Sequence, residues 1–136
     1  MTVDGLRYVF DLLTNTDTPK QSFWFALLTE QAGATATGTS IQEPIAGSYE
    51  RARIDNVSGS WEISGTSLNN GVEIEFVPAT EYWGMVRGWA MCTDNLDGKV
   101  IMLEMFETPV EVTAGTSVTF PIGGVSIDFE IDRWTL

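Results

Sequence analysis

The chain has 136 residues, 43% of them hydrophobic and 19% charged, a composition expected of one globular domain spanning residues 1–136. Seven Lys and Arg against nineteen Asp and Glu leave a net charge of −12, which repels phosphate and argues against nucleic acid or an anionic membrane surface as partner. Histidine is absent and Cys92 is the single cysteine, so histidine-based triads, His-ligated zinc, CxxC redox sites and intrachain disulfides cannot be assembled from these residues.

Val3, Leu6, Phe10 and Leu13 recur at a helical period and predict a short helix over about residues 3–14. Thr2 or Asp4 would cap it, and Asn15, Asp17 and Pro19 would stop it. Such a helix would pack as a lid over one end of a sheet, or be reserved for contact with another subunit. The opening MTVDGLRYVF lacks the basic region and cleavage site of a signal peptide, so folding in a reducing cytoplasm is expected. No apolar stretch approaches the roughly 18 residues of a membrane-spanning helix.

Everything after this reads as strands. Ser22–Thr29, SFWFALLT, is a continuous apolar run, predicting a central strand covered on both faces. Gln31–Ser40, QAGATATGTS, is low in complexity and predicts a mobile loop that orders only against a neighbour. Tyr49–Asp55 follows, with Tyr49, Arg51 and Arg53 on one face. After the turn Asn69-Asn70-Gly71, Val72, Ile74 and Phe76 alternate with Glu73 and Glu75. Trp83–Cys92 and Lys99–Phe106 are joined by the hairpin connection Asp94–Gly98. Two short strands, Val110–Val112 and Ser117–Phe120, precede a last one over Gly124–Ile131. Short strands separated by Gly, Asn, Asp and Pro turns predict an all-β fold: a two-sheet antiparallel β-sandwich with a short N-terminal helix.

Carboxylates are the only plentiful reactive groups. Glu73 and Glu75, and Asp128, Glu130 and Asp132, share strand faces, but they occupy the outward parity where charge is the default. Arg51 and Arg53 would lie opposite Glu73 and Glu75 if their strands pair. The segment DNLDGK can be laid on a calcium loop with Asn95, Asp97 and Glu104 as ligands. Thr93 then stands where an aspartate is needed, and the flanks are strands, so a plain turn is the reading and no metal is expected. No cofactor and no catalytic residue is indicated. Cys92, within an apolar run, reads as a small buried hydrophobe.

One strand departs from simple alternation. Trp83, Met85, Arg87, Trp89 and Met91 share a parity that is apolar apart from the arginine. Such a face is either a core face or a homo-oligomer interface, where aromatics, Met and Arg are enriched.

Several segments also resemble a known family. They are Phe25-Ala-Leu-Leu-Thr29, Gly47-Ser-Tyr-Glu-Arg51, Phe76-Val-Pro-Ala-Thr-Glu-Tyr-Trp-Gly84, the hairpin Asp94–Gly98, and Val112–Phe120. Together they resemble small bacteriophage virion structural proteins of the tail-fibre-like or head-decoration type. The resemblance implies a non-enzymatic virion component, made in the host cytoplasm and exposed on the particle surface. Lacking a fibrous repeat or coiled-coil stalk, a compact domain of this kind cannot build a long fibre by itself. On that ground the favoured expectation is a capsid cement protein, a homotrimer bound to the major capsid protein, with a tail-fibre or tail-associated role as the alternative. A third reading is a carbohydrate-binding module using Trp24, Trp61, Tyr82 or Trp134.

Overall fold

The computed structural model describes residues 22–55, 61–64 and 67–128. The expected helix over residues 3–14 and the part of the last strand beyond Asp128 lie outside the described residues. Among the described residues every regular element is a strand: β1 (Ser22–Leu28), β2 (Ala52–Asp55), β3 (Trp61–Ser64), β4 (Ser67–Asn70), β5 (Ile74–Glu75), β6 (Gly84–Cys92), β7 (Val100–Val112), β8 (Thr119–Phe120) and β9 (Ser126–Asp128). All ladders are antiparallel. They form a four-stranded sheet ordered β2-β1-β6-β7, a three-stranded sheet β3-β4-β9 and a two-stranded ladder β5-β8. The all-antiparallel expectation is met; among the described residues the strands fall into three sheets, which do not confirm the two-sheet sandwich.

The continuous apolar run of β1 makes it a central strand with two buried faces, as its sequence predicts. Phe23, Phe25 and Leu27 point to one side with Ala52, Ile54, Trp89 and Met91. There they meet Phe76 and Phe120 from the short ladder, with Phe25 and Trp89 centroids 5.6 Å apart and Phe76 and Phe120 5.7 Å apart in edge contact. Ala26 and Leu28 point to the other side, into a smaller cluster with Ala90, Cys92, Val100 and Ile41.

The cover on that second side is the segment expected to be mobile. Residues 29–42 fold back over the sheet: Thr29 N–H donates to Gln42 O at 2.8 Å, Thr37 bridges Lys99, and Gly38 N–H donates to Gly98 O at 2.9 Å. Ala32 and Ala36 pack on the small cluster. Small side chains let this backbone approach the sheet closely. A Cβ on Gly38 would collide with the Asp97 carbonyl. Hydroxyls then satisfy the turn locally, with Ser40 Oγ accepting from Thr37 N–H at 2.8 Å and Thr37 Oγ1 from Ser40 N–H at 3.1 Å. A Gly/Ala/Thr composition here serves close packing, not freedom.

The expected strands 99–106 and 110–112 are one element, β7. Val86 pairs with Val110 but Gly88 pairs with Met105, so five steps along β7 span two along β6. The excess residues, including Pro109, bulge out of the ladder, where a missing N–H costs nothing. Gly88 sits at this break, and a Cβ there would meet the Glu104 carbonyl and the Met105 side chain. At the opposite end, Asn70 is fully buried. Its Nδ2 donates to Val72 O and Pro121 O at 2.8 and 2.9 Å, and its Oδ1 accepts from Val125 N–H at 2.9 Å. The sequence marks this residue as a turn; the structure makes it the clip that binds the 121–125 turn to β4.

Candidate functional site

Arg51, just before β2, has a side chain 2% exposed in a chain of net charge −12, and its surroundings explain how it stays charged. Nε donates to Glu43 Oε1 at 2.9 Å and Nη2 to Glu43 Oε2 at 3.0 Å, a bidentate pair. Nη2 also donates to Gly38 O at 2.9 Å, and Nη1 to Asp94 O and Asp97 O at 2.7 and 2.9 Å. All five guanidinium hydrogens are placed. One side chain thereby ties the 29–42 cover, the segment at Glu43 and the β6–β7 hairpin to β2.

Tyr49 completes the network. Its hydroxyl donates to Glu43 Oε1 at 2.6 Å and accepts from Leu27 N–H at 3.1 Å. Burial, reinforced by the Glu43 carboxylate, pushes its ionisation far above the usual phenol range. Burial is the largest influence on Arg51 and works against its charge. The hydrogen bonds to Glu43 and the surrounding Cys92, Glu43 and Tyr49 charges together outweigh it, and the net shift is upward. Cys92, fully buried nearby, has its thiol pushed up to about 11 by burial, fitting the small hydrophobe expected of it rather than a nucleophile.

Outside this network lies an open groove of about 740 Å³. Trp24 of β1 forms one wall, with the Arg53 guanidinium 5.8 Å from its ring centroid. Arg53 is itself held by Asp55 Oδ1 at 2.8 Å and Ser22 Oγ at 3.0 Å. The Ser22 hydroxyl, then Arg53, draws the Asp55 carboxyl below its usual range. Gln42, Glu50 and Asn95 also line the groove, and Ile45 and Leu96 stand at its mouth, 101% and 77% exposed.

The residues singled out in the sequence are distributed differently. Arg51 and Arg53 do not face Glu73 and Glu75: β2 pairs with β1, and their partners are Glu43 and Asp55. The break at Gly88 switches the parity of β6 and parts Met85 and Arg87 from Trp89 and Met91. Trp83 precedes the strand across Gly84 (φ 95°), so the five-residue set does not share a face. Trp83, Trp89 and Met91 lie in the aromatic core, while Met85 and Arg87 are exposed. The indole of Trp83 packs edge-on against Tyr49 at 5.2 Å, and its buried Nε1–H has no acceptor among the described residues. In the DNLDGK hairpin the carbonyls of Asp94 and Asp97 converge on the Arg51 guanidinium, a cation supplied by the chain itself. No cluster of potential metal ligands occurs among the described residues. Of the aromatics considered for sugar contact, Trp24 lines the groove, and Tyr82 is exposed with its hydroxyl donating to Glu111 at 3.1 Å. The side chain of Trp61, and Trp134 with Glu130 and Asp132, lie outside what is described.

The sequence reading does not single out Glu43, Gln42, Ile45 or Leu96, and it takes Asn95 only as a candidate calcium ligand. Exposed aliphatics in Pro44-Ile45 and at the tip of a polar hairpin are the signal that marks them, because a turn without a role has no need of them.

A family model described as podophage GP4 fiber I protein gp80 matches residues 9–128. No curated protein matches the chain.

Proposed function

The chain belongs to the family of podophage GP4 fiber I protein gp80, and on that premise we propose that it is a non-enzymatic structural part of the tail-fibre apparatus of a phage particle. A virion structural component of tail-fibre type is what this membership gives; its position and partners are the proposal. The observation that carries the reading is the extent of the match, which takes in every described strand from β1 to β9.

The capsid-cement expectation, with the major capsid protein as partner, gives way to the tail-fibre alternative. Its physical argument was that a compact domain without a stalk cannot make a long fibre alone. That argument constrains one chain and not an assembly: a fibre built from several chains asks each only for a rigid unit and a contact surface. Three features support such a unit: the buried Arg51 network, the Asn70 clip and the aromatic core.

Quantitative mass spectrometry of purified particles tests the proposal, with the major capsid protein as internal reference. A fibre component is expected at a small multiple of the portal symmetry, far below the capsid protein. Near parity with the capsid protein would restore the cement reading, and absence from particles would remove both. Self-association belongs to the same proposal. Met85 and Arg87 are the outward-facing members of the β6 set, so Met85→Glu is expected to lower the oligomer mass in light scattering. An unchanged mass removes that face from the contact.

A further inference from the structure

The geometry points to the Trp24 groove as a binding site for a neutral saccharide. The groove holds about 740 Å³, room for one or two pyranose rings, and is open enough to admit a chain end or an internal segment. Its lining brings together planar hydrogen-bonding groups on three separate segments: Arg53 on β2, Gln42 and Glu50 on the segment before it, and Asn95 on the hairpin. Among the described residues, the Gln42 and Asn95 amides, the Glu50 carboxylate and both Arg53 Nη groups have no hydrogen-bond partner, Arg53 using only Nε for Ser22 and Asp55. Donors and acceptors left open around one groove, each presenting two atoms in a plane, suit the neighbouring hydroxyls of a ring.

The apolar parts fit the other side of the same ligand. A sugar ring carries C–H faces as well as hydroxyls. Here an indole wall and two exposed aliphatic side chains, Ile45 and Leu96, frame the polar groups. Charge selects among saccharides. Arg51 is consumed by Glu43 and Arg53 is paired with Asp55, so Glu50 is the uncompensated charge at the groove, in a chain of net charge −12. Uronic or sialic acids are repelled, and neutral sugars are not. The groove is also held in place before any ligand arrives, because Arg51 fixes both the Glu43 segment and the hairpin carrying Asn95 and Leu96.

The test is the full-length chain applied to a printed array of neutral and acidic oligosaccharides, beside Asn95→Ala and Gln42→Ala. Both variants alter groove side chains without touching the Arg51 network. Binding to neutral glycans is expected, weakened about tenfold in each variant, the worth of one or two lost hydrogen bonds. Melting curves matching the parent would show that the loss is local. A blank array, binding confined to acidic glycans, or binding that both variants leave unchanged would each overturn the assignment. The inference does not rest on the chain's place in the particle: a blank array leaves the fibre reading standing, and a failed copy-number test leaves this one standing.

Discussion

The two faces of the four-stranded sheet are held by opposite means, although alternate residues of the same two strands, β1 and β6, build both. One face is aromatic: Phe25, Trp89, Phe76 and Phe120 interlock and need no directional bonds to do so. The other is made of Ala26, Leu28, Ala90 and Cys92, small groups that offer little area. Its cover, residues 29–42, stays in place because hydrogen bonds and one buried ion pair hold it there. A thin apolar layer is thus sufficient where a polar clasp fixes the lid, and the clasp doubles as the frame of the groove.

Substitutions separate the two modes. The largest effect is expected on the aromatic face: Trp89→Ala removes the ring that touches both Phe25 and Phe120, costing about 3–5 kcal/mol. Chemical denaturation should show it as loss of the whole cooperative transition. Arg51→Met leaves three carbonyls without their donor and the Glu43 carboxylate without its cation, holding only the Tyr49 hydroxyl, at a cost of about 3 kcal/mol. Here hydrogen exchange is the informative readout, with protection lost over residues 37–43 and 93–98 before it is lost in β1 and β6. If the aromatic core opened at the same time, the two faces would be one unit and the contrast would fail.

A third expectation is a pH effect of roughly 2–3 kcal/mol. The Cys92 thiol ionises at about 11 in the folded chain against 9.0 for an unperturbed cysteine, so the folded state holds its proton longer. Stability contributed by the neutral thiol is complete below about pH 9 and is lost between 9 and about 11. Cys92→Ala should flatten the stability–pH curve between pH 9 and about 10. It leaves the fall from Tyr49, which starts at the ordinary phenol value of 10.0 because its ionisation in the folded chain is raised well above it. The smallest effect is at Arg53. Its ion pair with Asp55 is more than half exposed on both sides, so Arg53→Ala should leave the melting temperature within experimental scatter and report only on ligand binding.

Much of the fold is legible from alternation alone. Ile74 and Phe76 go in and Glu73 and Glu75 go out; β1 is central; Cys92 is buried. These follow from local pattern, because burial of one strand face is decided by its own residues. What escapes is set by pairing. The register break at Gly88 depends on how many residues β7 inserts opposite β6, and it turns Trp89 and Met91 inward while Met85 stays out. The packed cover escapes too: QAGATATGTS carries no apolar period, and its order comes from backbone bonds to Gln42, Gly98 and Lys99. Of the groove, Trp24 was legible as a candidate, whereas Glu43 gives no local sign that it will neutralise an arginine eight residues later.

The paired acceptance at Arg51 Nη1 has a last consequence, for how this molecule can diverge. Both hydrogens of one nitrogen are claimed by carbonyls three residues apart, Asp94 and Asp97. Inserting or deleting a single residue between them would move one carbonyl off its donor, so the hairpin's length is frozen. Side chains in the same interval are under no such constraint: Asn95 and Leu96 project outward from a backbone that does not use them. Variation among descendants should therefore appear at 95 and 96 as changes of identity and never of length. A loop of fixed gauge with interchangeable tips lets the rim of the groove change while the domain that carries it stays intact.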